Sequence, residues 1–151
     1  MKANNGKGNN PLRDDWETPQ ELFDTLNKQY HFTFDCCATQ ENRKAPIFAS
    51  NFEESLFVKG IWWMNPPFSK AWKMFEHFFK TVKKGVAIYR FDNAETGLWQ
   101  RVIFPNASWI FIPNKRINYE GMVGKGSRFP SALIGFNVDK IKGLEGITLT
   151  I

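Results

Sequence analysis

Cysteine and histidine are scarce in this chain. There are two of each: Cys36 and Cys37 are adjacent, and His31 and His77 stand apart. Adjacent cysteines rarely bridge to each other, because a disulfide needs a particular Cα and Cβ geometry. With no second cysteine pair, a zinc site is not expected, nor any other bound metal. A reduced, cytoplasmic protein is the simplest expectation. No apolar run approaches the length of a membrane span, so no membrane partner is expected. The opening MKANNGKGNN has no apolar stretch, and no secretory leader is expected from it. No internal repeat is visible.

Aromatic residues are plentiful, at 16% of 151 residues with 15 Phe and 6 Trp. Some of those rings are core, and others are candidates for stacking surfaces. The formal charge of +5 favours polyanionic partners only mildly, since many small basic proteins bind no nucleic acid. The length fits one domain. Residues 1–13 are polar and aperiodic and read as a flexible arm, leaving residues 14–151 as the single domain.

Thr18-Pro19-Gln20-Glu21 reads as a helix start, with Thr18 as cap, Pro19 at the first helical position and Glu21 closing a capping box. Leu22, Phe23, Leu26 and Tyr30 follow at helical spacing. HFTFDCCAT (31–39) reads as a strand, and 40–59 is the least readable region. Residues 60–64 form a short apolar run of the buried-strand type. Ser69 is a candidate cap for a helix carrying Trp72, Phe75, Phe78, Phe79 and Val82, with Gly85 as its stop. GVAIYRF (85–91) and SWIFIP (108–113) read as strands. Asp92 and Glu95 suggest another capping box. Arg90 and Asp92 lie beyond a strand end where they could touch substrate, though a surface salt bridge plus helix cap is the favoured reading. INYEG and FPSALIGF look like paired strands around a mobile GMVGKGSR loop, and ITLTI like an edge strand. The alternation predicts an α/β fold with a mostly parallel sheet and a C-terminal antiparallel hairpin. Ligands in such sheets sit beyond the carboxyl ends of the strands.

WWMNPPFSK (62–70) places an odd corner at one such end. Asn65 offers an amide oxygen and Pro66 a carbonyl on a chain of fixed φ. Pro67 restricts Pro66 to extended backbone and so stiffens the direction of that carbonyl. Phe68 presents a flat apolar face. Two acceptors beside an aromatic plate suit a planar ring with an exocyclic amine. Stacking of a base on such a plate contributes about 1–3 kcal/mol.

Asn65-Pro66-Pro67-Phe68 resembles the catalytic motif of amino-group DNA methyltransferases. The wider pattern resembles phage-type DNA N-6-adenine methyltransferases. W-x-T-P-x-x-L-F (Trp16 to Phe23), F-x-x-D-x-x-A-T (Phe32 to Thr39), NPPF and F-P-S-A-L (Phe129 to Leu133) occur in that family's order. The resemblance implies a compact Rossmann-like methyltransferase fold, S-adenosylmethionine as donor, and methylation of a flipped adenine in double-stranded DNA, in a phage or prophage setting. It implies catalytic roles for Asn65, Pro66, Pro67 and Phe68. It implies donor contacts from Trp16, Thr18, Pro19, Asp35, Cys36, Cys37, Ala38 and Asn65. Lys115, Arg116, Lys125 and Arg128 are candidates for phosphate contacts.

The chain departs from the wider methyltransferase class after Asp35, where CCATQENRK replaces a Gly-rich loop. Asp35, Glu53 and Glu54 all remain candidates for the donor ribose, and Asp35 also reads as a turn cap. Cys36 and Cys37 read as packing residues rather than nucleophiles, since neither follows a proline. Two alternatives stay open: a methyltransferase for cytosine N4, RNA adenine or protein glutamine, and a non-catalytic nucleic-acid-binding module. The sequence does not indicate the oligomeric state.

Overall fold

The computed structural model describes residues 16–50, 58–121 and 129–151. The predicted arm and most of the predicted GMVGKGSR loop lie outside these residues. Helix α1 (Gln20–Tyr30) leads into β1 (Phe34–Asp35), β2 (Ile47–Phe48) and β3 (Trp62–Met64). A 3-10 turn at Phe68–Lys70 opens α2 (Ala71–Thr81), and β4 (Gly85–Arg90) follows. A π-helical segment, Leu98–Ile103, runs into α3 (Phe104–Asn106). Strands β5 (Trp109–Pro113), β6 (Ser131–Phe136) and β7 (Gly146–Thr150) complete one seven-stranded sheet, ordered β2-β1-β3-β4-β6-β5-β7.

The expected α/β architecture holds. The β2-β1-β3-β4 half is parallel, and the β4-β6, β6-β5 and β5-β7 pairs are antiparallel. β6 is flanked by β4 and β5, however, and does not pair with Ile117–Gly121. That segment forms no strand. It buries Ile117 and Tyr119 and makes a single bridge between Glu120 and Glu17. The tail strand is the predicted sheet edge.

Two apolar layers sandwich the sheet. One joins Phe34, Trp62, Met64, Ala87, Ile110 and Ile134 to Met74, Phe75 and Phe78 of α2 and to Trp99 and Ile103. The other joins Trp63, Val86, Ile88, Trp109 and Leu133 to Phe23, Leu26 and Tyr30 of α1. Alternate residues of each central strand face opposite layers, which is why Trp62, Trp63 and Met64 can all be apolar and buried.

The helix ends differ from expectation. Pro19 is the N-cap of α1 rather than its first residue, and Thr18 makes no cap bond. The Glu120 carboxylate instead accepts the Gln20 N–H at 2.9 Å. At the other end His31 turns left-handed (φ 54°), and the Asn27 side chain accepts the Phe32 N–H at 2.8 Å. Ser69 lies inside the 3-10 turn, and α2 begins without a side-chain cap. α2 stops at an extended Val82, so Gly85 is free to be the first residue of β4. There Phe78 packs where a Cβ would sit, at 2.6 Å. Asp92 does not cap the Leu98–Ile103 segment. It forms the expected salt bridge with Arg90 at 2.6 Å.

Gly135 lies opposite Trp109 in the β5-β6 register. The indole covers the glycine so closely that a Cβ would stand 2.0 Å from Trp109 Cε2. Gly135→Ala should lower stability by about 1–3 kcal/mol through overpacking. The urea midpoint should fall with no change in m-value.

Candidate functional site

β1 lies between β2 and β3, so the chain order reverses between β1 and β3. In an open α/β sheet that reversal opens a crevice beyond the carboxyl ends of the strands. Asn65–Phe68 leaves β3 there, and Cys36–Ala38 leaves β1 beside it. A third wall is the stretch from Trp16 to Pro19, ahead of α1. It is held by reciprocal backbone bonds between Glu17 and Glu120 at 2.9 and 2.8 Å. Lys44 ties it to the loop after β1, donating to Gln20 Oε1 at 2.8 Å and lying 3.8 Å from Glu17.

Asn65 Nδ2 donates to the Trp16 carbonyl at 3.2 Å. A carbonyl can only accept, so this bond fixes the sense of the amide and leaves Oδ1 as its accepting end. Pro66 is buried, while Pro67 and Phe68 are half-buried. The Pro67 carbonyl accepts the Lys70 N–H at 3.0 Å, closing the turn behind Phe68.

Phe68 sits in an aromatic cage. Trp16, Tyr89, Tyr119 and Phe129 approach it with centroids 5.9, 5.7, 6.1 and 5.7 Å away, at steep interplanar angles. Arg90 lies 5.9 Å from its centroid and 4.4 Å from that of Phe129. The guanidinium is held in place by Asp92 at 2.8 and 2.6 Å. The Tyr119 hydroxyl pairs with Ser131 Oγ at 2.9 Å, so no polar tip is stranded there. Neither Tyr89 nor Tyr119 stands in a motif that marks it in the sequence. Tyr119 arrives on an irregular segment that no periodicity marks.

On the β1 side the polar groups are engaged internally. Cys36 N–H donates to the Trp63 carbonyl and Ala38 N–H to that of Ala49, both at 2.9 Å. Asp35 is 3% exposed, and its carboxylate accepts the Lys44 N–H at 2.9 Å and, more weakly, the Cys37 N–H at 3.4 Å. This is the turn-capping geometry. Burial pushes the Asp35 carboxyl from 3.8 up to about 6, against the two N–H bonds and the Lys44 charge. Burial also raises the Cys36 and Cys37 thiols, which therefore stay protonated and unreactive at neutral pH.

Thr18 is different. It is 1% exposed, and its hydroxyl finds no partner among the described residues. A buried hydroxyl without a partner is costly, and beside a ligand crevice it fits a polar ligand atom. β5 runs parallel to β4, so exposed Lys115 and Arg116, which follow it, share the edge of the sheet that carries Asn65. Lys125, Arg128, Glu53 and Glu54 lie outside the described residues.

A family model for DNA N-6-adenine-methyltransferase (Dam) matches residues 5–130. The chain belongs to this family. No curated protein matches it. Family membership makes the protein an S-adenosylmethionine-dependent DNA adenine-N6 methyltransferase, with DNA as substrate and S-adenosylmethionine as donor. The Dam match spans both crevice strands and the whole NPPF corner. Among the described residues no helix is long and apolar enough to cross a membrane.

Asp35 has a pH signature. The unfolded chain releases this proton near pH 4 and the folded chain near pH 6. Between those values the folded form holds more protons, so stability falls as pH rises through the window and levels off above it. Relative to Asp35→Asn, the wild type should lose about 2 kcal/mol between pH 4 and 6.5. Urea unfolding across that range measures it. Parallel curves for the two proteins would contradict a buried, titrating Asp35.

Proposed function

We propose that the protein is a site-specific methyltransferase that acts on an adenine flipped out of double-stranded DNA, at the Asn65–Phe68 corner. The observation that carries this is the Asn65 amide, oriented by the Trp16 carbonyl at the switch point of the sheet. Asn65 Oδ1 and the Pro66 carbonyl accept the two protons of the adenine amine. Drawing both protons toward these acceptors turns the nitrogen lone pair out of conjugation, and the same acceptors stabilise the ammonium charge that develops. Phe68 stacks on the base, and the cage holds Phe68 still. Flipping costs a few kcal/mol, which stacking and phosphate contacts offset.

When bound, S-adenosylmethionine would supply an already activated methyl group and leave as S-adenosylhomocysteine, with the extra amine proton released to solvent, so the chain's task is alignment rather than covalent catalysis. Trp16, Thr18, Pro19, Asn65 and the Asp35–Ala38 turn form the donor side. Thr18 is its polar anchor, because its hydroxyl is the buried group still in need of a partner among the described residues. The Asp35–Ala38 turn contributes shape more than hydrogen bonds, since its carboxylate and the Cys36 and Ala38 N–H groups are engaged. Lys115 and Arg116, with Lys125 and Arg128, contact phosphate. The setting is the cytoplasm of a bacterial host carrying a phage or prophage.

Asn65→Ala should reduce methyl transfer at least about a hundredfold, in line with loss of one oriented transition-state acceptor. Binding of S-adenosylhomocysteine should weaken far less, because Trp16, Thr18, Pro19 and the Asp35–Ala38 turn still form the donor side. Tritiated donor offered with separate DNA, RNA and protein acceptors reads the activity. Label confined to RNA or protein would refute the substrate assignment, and wild-type turnover in the variant would refute the role of Asn65.

Thr18→Val separates ligand binding from folding. Removing an unsatisfied buried hydroxyl while keeping its shape should leave the apo Tm unchanged or higher. The same change should weaken S-adenosylhomocysteine binding by about tenfold, the equivalent of one hydrogen bond. Calorimetry with unchanged affinity would remove Thr18 from the donor site.

A further inference from the structure

The first turn of α2 carries a surface that the NPPF corner does not itself use. Lys70, Trp72 and Lys73 are exposed there, and Trp72 keeps 40% of its surface accessible. The core face of α2 is made by Ala71, Met74, Phe75 and Phe78, so Trp72 points away from the packing that holds the helix. It is nonetheless ordered by contact. Exposed Arg101 places its guanidinium 5.6 Å from the Trp72 centroid. Gly97 lies beneath both, since a Cβ on it would stand 2.4 Å from Arg101 Nη2 and 2.8 Å from Trp72 Cη2.

This cluster sits at the edge of the crevice. Lys70 is two residues past Phe68, and its N–H closes the turn on Pro67. Gly97 belongs to the connection that leaves the carboxyl end of β4. Residues 69–73 and 96–101 contribute Lys70, Lys73 and Arg101, and exposed Glu76 and Glu95 lie at their flanks. Lys70, Lys73 and Arg101 around an exposed indole complement a phosphodiester chain. Lys115 and Arg116 occupy the same edge after β5, across β4 and β6 from α2.

We propose that Lys70, Trp72, Lys73 and Arg101 form a docking surface for the phosphodiester backbone of the DNA substrate beside the flipped adenine. The proposal deepens the methyltransferase reading and rests on it. The three cations neutralise phosphates, and Trp72 packs against sugar or an unstacked base. Together they hold the strand while Phe68 engages the target.

The test uses a fluorescein-labelled mixed-sequence duplex and anisotropy at several KCl concentrations. The variant is Lys70→Gln/Lys73→Gln/Arg101→Gln, with Lys140→Gln/Lys142→Gln as a control on the opposite edge of the sheet. Loss of three phosphate contacts should make the slope of log K against log[salt] shallower by about 2–3. The duplex Kd should rise at least about tenfold at 100 mM salt. KM for DNA should rise with kcat and S-adenosylhomocysteine affinity unchanged, and the control should match wild type. Trp72→Ala should weaken binding without changing the slope. A triple variant of native Tm that keeps the wild-type Kd and slope overturns the surface while leaving the methyltransferase reading intact. A wild type that binds no duplex at any salt overturns both.

Discussion

The site depends on β3 being buried on both faces. Trp62 and Met64 are locked against α2 and Trp63 against α1, and none is more than 5% exposed. A fully buried methionine contributes about 1.5–3 kcal/mol, and an indole at least as much. Sliding β3 by one residue would exchange the faces of all three side chains, so its register is strongly fixed. Asn65 is the next residue along. Its height above the sheet is therefore set by core packing, and its amide only has to be oriented. The Trp16 carbonyl does that from a separate segment.

That division of labour explains why so many rings surround one phenylalanine. Phe68 has left the strand and is no longer fixed by the sheet. Its orientation comes from the cage: Trp16 before α1, Tyr89 at the end of β4, Tyr119 from the irregular segment and Phe129 before β6. Edge-to-face contacts of this kind contribute about 0.5–1.5 kcal/mol each beyond area burial. Arg90, clamped by Asp92, packs against Phe68 and Phe129. Four distant stretches of sequence thus converge to position one plate. In the proposed function, such a plate meets the flipped base without reorganising.

What could be read in the sequence follows from how local each feature is. The strands β3, β4, β5 and β6 are short apolar runs, and the corner after β3 is a contiguous motif, so both were legible. The caps were not. Thr18 and Ser69 have the right chemistry one or two residues ahead of a helix, yet a distant carboxylate, Glu120, serves α1 instead. Glu120 reaches Gln20 only because residues 117–121 lie across the start of α1, where pairing with β6 was expected. That pairing failed because β6 is already flanked on both sides, by β4 and β5. Competition between strands for one edge is a property of the whole sheet and leaves no mark on either segment. β2 was missed for a related reason: two residues, Ile47 and Phe48, carry no periodicity.

The missing glycines after β1 are explained by the same packing. A Gly-rich loop brings backbone N–H groups close to a ligand because no Cβ intervenes. Here the Cys36 and Ala38 N–H groups turn inward to Trp63 and Ala49, and the Asp35 carboxylate draws in those of Cys37 and Lys44. A charged Asp35 at neutral pH opposes its own burial, and two backbone donors and the Lys44 charge hold it there. The turn is therefore rigid without glycine, but its donors face the wrong way to serve a ligand. Polar recognition then has to come from the opposite wall. That wall holds Thr18, the buried side chain whose hydroxyl lacks a partner among the described residues, on the segment whose Trp16 carbonyl already orients Asn65. In the proposed function, donor anchoring and alignment of the Asn65 amide thus converge on the stretch from Trp16 to Pro19. The two functions can be coupled through three residues of chain rather than through the sheet.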